Sequence, residues 1–265
     1  MITELLEYLF SPVSKEARSL GYLKSSLQVR ARYRRCKSAW AGHLERTRQF
    51  ILESARQSAR KRTAIILGAG MLHDIPIHEL ALMFEKVVLV DVVHPLSSRF
   101  RTWRLTNVRH DPLDVTELRP SLKEWKRGMP LPRSCPRTFL DDETVDFTVS
   151  VNLLSQLGWV PGTFLQSSVK EEEVNAFQRH LIEAHLAYLE KIPGRVALIT
   201  DVLWEMREGS GSAREKWNVL QDVELPEADA SWVWQIAPAP EYDRELDVCA
   251  QVYAYADWKM KCKNT

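Results

Sequence analysis

The sequence lacks any apolar run that approaches the roughly 18 residues needed to cross a bilayer. Its first ten residues, MITELLEYLF, contain two glutamates and no basic residue, so they do not have the composition of a secretory signal. No CxxC pair occurs among the four cysteines, which are Cys36, Cys135, Cys249 and Cys262. This spacing predicts reduced thiols and no zinc site. Together these absences predict a cytoplasmic protein without a membrane partner.

The charge is distributed unevenly along the chain. Its 265 residues are 45% hydrophobic and 27% charged, a composition typical of a soluble globular protein near the upper size limit of one domain. Residues 1–62 carry 14 Lys/Arg and 5 Asp/Glu, a balance of +9. The remaining residues carry 22 and 30, a balance of −8, so that the net charge is +1. The chain therefore joins a basic front to a mildly acidic body.

The front of the chain lacks proline between Pro12 and Pro76, and its apolar residues recur at helical spacing. We expect helix over residues 14–60, in two pieces that break near Gly42 or near the cluster RARYRRCK. Residues 1–61 are accordingly predicted to form a basic helical N-terminal extension.

The basic cluster of this extension admits two interpretations. Its charged members, with Tyr33 and Trp40 close by, are Arg30, Arg32, Arg34, Arg35 and Lys37. They could bind the phosphates of a nucleic acid while the aromatic rings stack on its bases. Alternatively, they lie on a solvated helix that packs against the acidic body, which the balance of −8 favours.

From residue 63 onward, short apolar strands alternate with helices, which is typical of a parallel sheet with helices on its faces. Five strands are predicted, at residues 63–67, 87–92, 107–110, 145–151 and 195–201. Two more are predicted within SWVWQIAPAPEYDRELDVCAQVYAYADWK, joined by a proline-rich turn. Residues 62–265 are therefore predicted to form an α/β domain, with a doubly wound, mostly parallel sheet of seven strands that ends in an antiparallel pair.

The segment IILGAGMLHDIP places a glycine turn between the first strand and the next helix. Nucleotide-like ligands are often held at such a turn by backbone N–H groups and a helix N-terminus. The dinucleotide fingerprint requires glycine at its first, third and sixth positions. Gly68 and Gly70 supply the first two, but His73 occupies the sixth. A nicotinamide or flavin cofactor is therefore disfavoured.

Carboxylates follow the second and third predicted strands. Asp91 lies near the end of VVLVDVV, 21 residues after Gly70, where it can accept hydrogen bonds from both hydroxyls of a ribose. In HDPLDVTEL, after the third strand, Asp114 can accept a hydrogen bond from an adenine amino group, and Val115 can pack on the ring. The order of these residues favours a ligand that contains adenosine.

Together, the segments IILGAGML, LVDVV, LDVTEL and VDFTVSVNLLSQL resemble the class I S-adenosylmethionine-dependent methyltransferases, over residues 62–258. The resemblance implies a Rossmann-like fold, S-adenosyl-L-methionine as cofactor and methyl transfer as activity. The cofactor contacts that it implies are Gly68, Gly70, Asp91, Asp114, Val115 and Asn152, the last beside the donor methyl at the tip of the fourth strand. Asp201 and Trp204 would face the acceptor, and residues 152–170 and 201–230 would form a lid.

Several positions depart from the family's pattern. Ile66 stands where an acid is common, two residues before the first glycine, and Leu72 stands where a third glycine is common. The fourth strand ends in SVNLLSQL and not in an Asn/Asp-Pro-Pro-aromatic motif, which argues against methylation of nucleic-acid bases. Because methyl transfer depends mainly on positioning, no catalytic residue is assigned and no metal site is predicted. Two alternatives stay open: a nicotinamide-dependent oxidoreductase, and a catalytically degenerate methyltransferase-like binding module.

Overall fold

The structure of the protein is a computed structural model that describes residues 11–209 and 211–262. Residues 1–10, where the predicted extension begins, and residues 263–265 lie outside the described residues. The α-helices are α1 Lys15–Leu20, α2 Tyr22–Arg35, α3 Lys37–Arg56, α4 Ile77–Met83, α5 Leu96–Thr102, α6 Arg119–Glu124, α7 Trp159–Leu165, α8 Glu171–Lys191 and α9 Trp258–Cys262. Within the described ranges, no helix combines the length and apolarity that crossing a bilayer requires.

The strands form one sheet in the order β3-β2-β1-β4-β5-β8-β7, and β6 pairs with β5 beside this path. Their bounds are β1 Thr63–Leu67, β2 Lys86–Val90, β3 Val108–Asp111, β4 Val145–Val151, β5 Arg195–Arg207, β6 Ala213–Asn218, β7 Ala230–Ala237 and β8 Asp247–Tyr255. Strands β1 to β5 are parallel, whereas β8 is antiparallel to both β5 and β7. The predicted α/β class and the C-terminal antiparallel pair are confirmed. The sheet has one strand more than the predicted seven.

The additional strand results from the length of β5. This strand continues six residues beyond its predicted end at residue 201, because its far half has partners on both sides: Leu203 pairs with Gln251 of β8 and with Asn218 of β6. The sequence of β6, AREKWN, has no run of apolar residues and so does not predict a strand. The predicted lid over residues 201–230 is therefore wrong where the chain forms β5 and β6.

Two apolar layers cover the sheet. Ile66 and Val149 belong to the layer that contains α3 and α4, and Ile65 and Leu198 belong to the layer that contains α8. Every residue of β1 and β4 is buried, as expected for the central strands of a parallel sheet that is covered on both faces.

Three helices, and not the predicted two, occupy residues 15–56. Gly21, with φ 97°, ends α1 in a left-handed conformation, and Cys36 separates α2 from α3. Gly42 lies inside α3, so the break falls within RARYRRCK. Trp40 of α3 is buried in the same apolar layer as β7, which packs this helix into the body. The division of the chain into residues 1–61 and 62–265 stays a prediction.

Candidate functional site

A cavity of about 220 Å³ lies at the carboxyl ends of the parallel strands. The chain enters its wall directly after β1, β2 and β4, and again just after β3. Residues of α2, α3, α7 and β7 also line it. The six residues predicted to contact a cofactor all line it: Gly68, Gly70, Asp91, Asp114, Val115 and Asn152. Ligands of open α/β sheets bind at this edge of the sheet.

Different elements form the two ends of the cavity. The β2–β3 end consists of Asp91–Val93 and residues 113–116. The tryptophan end, named after its two indole rings, consists of Trp40, His43, His73, Asp74, Asn152 and Trp234. The glycine turn after β1 lies in the wall between them.

The two glycines of the turn have different roles. Gly68 has φ 82°, and a Cβ there would lie 2.8 Å from the carbonyl oxygen of Val151, so a side chain would collide with the end of β4. Gly70 has φ 43°, and a Cβ there would approach Asp91 Oδ2 no closer than 3.7 Å. Substituents at Gly70 would therefore occupy the cavity. Leu72 has φ 59°, a left-handed conformation that favours glycine.

Asp91 connects the end of β2 to the glycine turn. Its Oδ2 accepts a hydrogen bond of 2.8 Å from the N–H of Gly70, and its Oδ1 accepts one of 3.1 Å from the N–H of Val93. Burial raises the pKa of the Asp91 carboxyl. Each carboxylate oxygen retains a lone pair, so both can still accept from the hydroxyls of a ligand.

Asp114 organises the loop after β3. Its Oδ1 accepts from the N–H of Thr116 at 3.0 Å and from the Thr116 hydroxyl at 2.7 Å, and its Oδ2 accepts from the N–H of Arg119 at 3.1 Å. These bonds hold a carboxylate that is only 4% exposed. Val115 is buried beside it and belongs to the core layer of α8. Asp114 thus has a structural role whether or not it contacts a ligand.

Asn152 joins the tip of β4 to three other segments. It has φ 46°, which asparagine tolerates, and its Nδ2 lies 2.8 Å from Asp74 Oδ2 and 3.2 Å from His43 Nε2. Trp232 Nε1 donates to His43 Nδ1 at 3.0 Å, so the neutral imidazole carries its proton on Nε2. Burial lowers the pKa of His43 to about 3 and raises the pKa of Asp74. His43 is therefore uncharged at neutral pH.

Aromatic rings enclose the tryptophan end. His43 stacks on Trp234 with ring centroids 4.0 Å apart, and Trp40 meets Trp234 edge-on at 4.8 Å. His73 stacks on Tyr33 at 3.6 Å. Burial first, and then nearby arginines, lower the pKa of His73 to about 4. The sequence does not predict this cluster, because its members are far apart in the chain and match no motif.

Helix α2 lies along one side of the cavity. It contributes Tyr22, Ser25, Ser26 and Val29, which share one face at helical spacing. Burial and the carboxylates of Asp114 and Asp91 raise the pKa of the Tyr22 phenol. The helical spacing of these four residues is visible in the sequence. It does not indicate a binding surface, because two of the four are serines, which are common on exposed helix faces.

The basic cluster is partly docked on the body. Arg35 donates from Nε and Nη2 to the two carboxylate oxygens of Glu241, each at 2.6 Å, and Arg32 Nε lies 3.5 Å from the same carboxylate. Glu241 lies in the turn between β7 and β8, and Arg35 lowers its pKa. For these two arginines the structure has the arrangement that the packing interpretation expects. Nucleic-acid binding by the cluster stays a prediction.

The side chains of Asp201 and Trp204 are hydrogen-bonded to one another, and neither residue lines the cavity. Asp201 accepts from Trp204 Nε1 at 2.6 Å and from the Ser155 hydroxyl at 2.5 Å, so both of its oxygens have partners. Among residues 11–209 and 211–262, no group of three or more His, Cys, Asp or Glu side chains is arranged to hold a metal ion.

No protein-family model and no curated protein matches the chain. Three solved structures illustrate its similarity to known folds. The N-methyltransferase NodS of Bradyrhizobium japonicum, in complex with S-adenosyl-L-homocysteine, is 12% identical, with 80% of this chain and 86% of that chain covered and a TM-score of 0.37. The 1,6-didemethyltoxoflavin-N1-methyltransferase of Burkholderia thailandensis is 15% identical, with 93% of each chain covered and a TM-score of 0.41. The glycopeptide N-methyltransferase MtfA is 15% identical, with 82% and 80% covered and a TM-score of 0.33.

Similarities with such low TM-scores support no conclusion about activity, and the fold is identified from the strand order of the chain itself. Five parallel strands in the order 3-2-1-4-5, followed by an antiparallel pair, place the glycine turn, Asp91 and Asn152 at one edge of the sheet. The chain has the Rossmann-like fold that its resemblance to the class I S-adenosylmethionine-dependent methyltransferases predicts.

Proposed function

We propose that the protein is a methyltransferase that uses S-adenosyl-L-methionine. One observation carries the proposal: the six residues predicted to contact this cofactor come from four separate segments and line a single cavity. The strand order brings these segments to one edge of the sheet, and the predicted contacts lie where that edge forms a cavity. The carboxyl edge of the sheet is also the edge at which ligands of this fold class bind.

The residues fit the cofactor in three respects. Gly70 leaves open the space that a side chain would fill, so the backbone can approach a ligand there. Asp91 offers free lone pairs to ribose hydroxyls at the β2–β3 end, and Val115 provides an apolar surface at the same end of the cavity. Asn152 lies at the tip of β4, next to the tryptophan end.

Bound S-adenosylmethionine would supply a methyl group on a sulfonium, which passes to a nucleophilic atom of the acceptor and leaves S-adenosylhomocysteine. The chain's own contribution is to hold the two reactants in line and to exclude water from them. Tight burial of the tryptophan end suits this task, because His43, Asn152 and Trp234 are each less than 9% exposed.

The alternative of a nicotinamide-dependent oxidoreductase conflicts with the position of α4. In the dinucleotide fold, a helix that begins at the glycine turn directs its N-terminus at the pyrophosphate. Here residues 71–76 separate Gly70 from the first residue of α4, and the cavity wall contains no lysine or arginine within the described ranges. A degenerate module that binds neither cofactor is the third outcome that an experiment must distinguish.

Isothermal titration calorimetry with S-adenosylhomocysteine, S-adenosylmethionine, NADH and NADPH tests the proposal. We expect the two sulfur nucleosides to bind and the nicotinamides not to bind. At a ligand concentration 100 times the dissociation constant, S-adenosylhomocysteine should stabilise the fold by about 2.7 kcal/mol. Binding of a nicotinamide alone would favour the oxidoreductase, and binding of none of the four would favour the degenerate module.

The variant Asp91→Asn tests whether the predicted site holds the ligand. It should weaken the binding of S-adenosylhomocysteine by about 1.5–3 kcal/mol, the range for hydrogen bonds to a charged group. Asp111→Asn, at the end of the neighbouring strand β3 and outside the cavity wall, is the matched control and should bind like the parent. Equal affinity for the parent and Asp91→Asn would remove Asp91 from the site.

A further inference from the structure

The tryptophan end of the cavity shares only Asn152 with the predicted cofactor contacts. The strand order places β3 and β7 at opposite edges of the sheet, so the β2–β3 end and Trp234 of β7 lie on opposite sides of β1. Asp91, Asp114 and Val115 belong to the β2–β3 end. If the nucleoside of the cofactor lies there, the space beside His43 and Trp234 remains for the second reactant.

Polar atoms without partners line this end. The indole N–H of Trp234, Oδ1 of Asn152 and Nε2 of His73 are buried, and none has a hydrogen-bond partner among the described residues. Trp234 is 7% exposed and Asn152 is 8% exposed. Contacts connect these residues, because His43 stacks on Trp234 and its Nε2 lies 3.2 Å from the Asn152 amide. A buried donor without a partner is costly, and Trp234 differs from most other such donors in lining a cavity where a ligand can supply the partner.

The hydrogen-bond chain determines which amide atom of Asn152 faces the ligand. Trp232 donates to His43 Nδ1, so the proton on His43 Nε2 points to the Asn152 amide. That contact is satisfied when the amide oxygen faces His43. A proton on the Asp74 carboxyl, whose pKa is raised by burial, would let Asp74 donate to the same oxygen. The amide nitrogen then takes the position without a partner. Asn152 and Trp234 would both offer N–H groups, which require lone pairs on the ligand.

Among the described residues, the tryptophan end of the cavity has no cationic side chain in its wall. In the part of the chain that the structure describes, no lysine or arginine lines the rest of the cavity either. Its two histidines are uncharged at neutral pH, since burial lowers the pKa of His43 to about 3 and that of His73 to about 4. Three carboxyl groups also line it: Asp74, Asp91 and Asp114. Arg48 and Arg101 lie close by, but they donate to the backbone carbonyls of His73 and Leu72 and are not part of the wall. An acceptor with a negative charge would therefore lose its hydration at the tryptophan end without a cationic partner in the wall.

We propose that the tryptophan end is the acceptor subsite, and that it selects a small uncharged molecule whose carbonyl oxygen or ring nitrogen accepts hydrogen bonds from Trp234 Nε1 and the Asn152 amide. This proposal rests on the proposed function, and it names the class of acceptor. Acceptors whose reacting part carries a phosphate or a carboxylate are excluded from this subsite.

Matched pairs of small probes test the proposal on the full-length protein loaded with S-adenosylhomocysteine. Ligand-observed NMR would compare nicotinamide with nicotinate and uracil with orotate, which differ in a negative charge. We expect the uncharged member of at least one pair to bind and both carboxylated members to fail. Trp234→Phe removes the indole N–H. It should lower the affinity for the uncharged probe about 2- to 13-fold, which corresponds to the loss of one neutral hydrogen bond.

The control variant is Trp258→Phe. Trp258 is also buried and its Nε1 also lacks a partner among the described residues, but it lies on α9 outside the cavity wall. This variant should bind the probe like the parent. The proposal is overturned if no uncharged probe binds, if a carboxylated probe binds as well as its partner, or if Trp234→Phe has no effect. Normal binding of S-adenosylhomocysteine in those cases would leave the proposed function intact. Probe binding without S-adenosylhomocysteine binding would refute the proposed function instead.

Discussion

Acidification should destabilise the protein through His43, and the size of the effect follows from its burial. The pKa of this imidazole is about 3 in the folded chain and about 6.5 when it is exposed. Between these values the unfolded chain binds a proton that the folded chain does not, so stability that is present above pH 6.5 is lost as the pH falls. Between pH 7 and pH 5 the expected loss is about 2 kcal/mol.

The variant His43→Gln isolates this contribution. Urea unfolding at pH 7 and at pH 5 would give the change in the free energy of unfolding for the parent and the variant, and the variant should lose about 2 kcal/mol less. Asp74, the other titratable group in the hydrogen-bond network around Asn152, remains in both proteins. His78→Gln, at an exposed histidine on α4, controls for the loss of one imidazole from the chain. Equal losses in the parent and His43→Gln would refute a neutral, buried His43.

Three further predictions concern the cavity and its surroundings. Gly70→Val should abolish binding of S-adenosylhomocysteine in calorimetry, because the new side chain would occupy the cavity. The protein should stay folded, since a left-handed φ at a residue other than glycine costs only about 1–2 kcal/mol. Unchanged affinity would mean that the turn is merely structural. Burial raises the pKa of Asp74, so this residue contributes stability that is lost as the pH rises. In urea unfolding, Asp74→Asn should lack this contribution. A variant with the same pH profile as the parent would contradict the prediction. Arg35→Ala should lower the free energy of unfolding by up to about 1 kcal/mol, and the parent should show no salt-dependent RNA binding. RNA binding by the parent that strengthens as the salt concentration falls and weakens in Arg35→Ala would instead support the nucleic-acid interpretation.

The parts of the fold that local pattern determines were predictable from the sequence. β1 and β4 have the predicted bounds, since a short run of buried apolar residues identifies a central parallel strand. The glycine turn and Asp91 were predictable because both must occupy the ends of adjacent strands. β6 was not predictable, because its pairing with the far half of β5 depends on the tertiary arrangement and not on its own composition.

The candidate site divides in the same way. Its β2–β3 end follows the order of strands along the chain and could be predicted. Its tryptophan end combines His43 of α3, Asn152 of β4 and Trp234 of β7, which only the folded sheet brings together. Buried histidine and tryptophan residues are ordinary core residues when seen in a sequence. Their unpartnered N–H and amide groups become visible only in three dimensions.

The position of α2 has a consequence for the rates at which ligands exchange. This helix lies along the cavity, joined at Gly21 to α1 and anchored at its other end by the Arg35–Glu241 pair. A cavity of about 220 Å³ is below the usual range for small-molecule sites, so it must widen before two reactants occupy it together, and an outward movement of this helix would widen it. Association should then be slower than for a site that binds without a conformational change. Under the proposed function, residence times would be set by the opening of the helix, and product release would limit turnover more than methyl transfer.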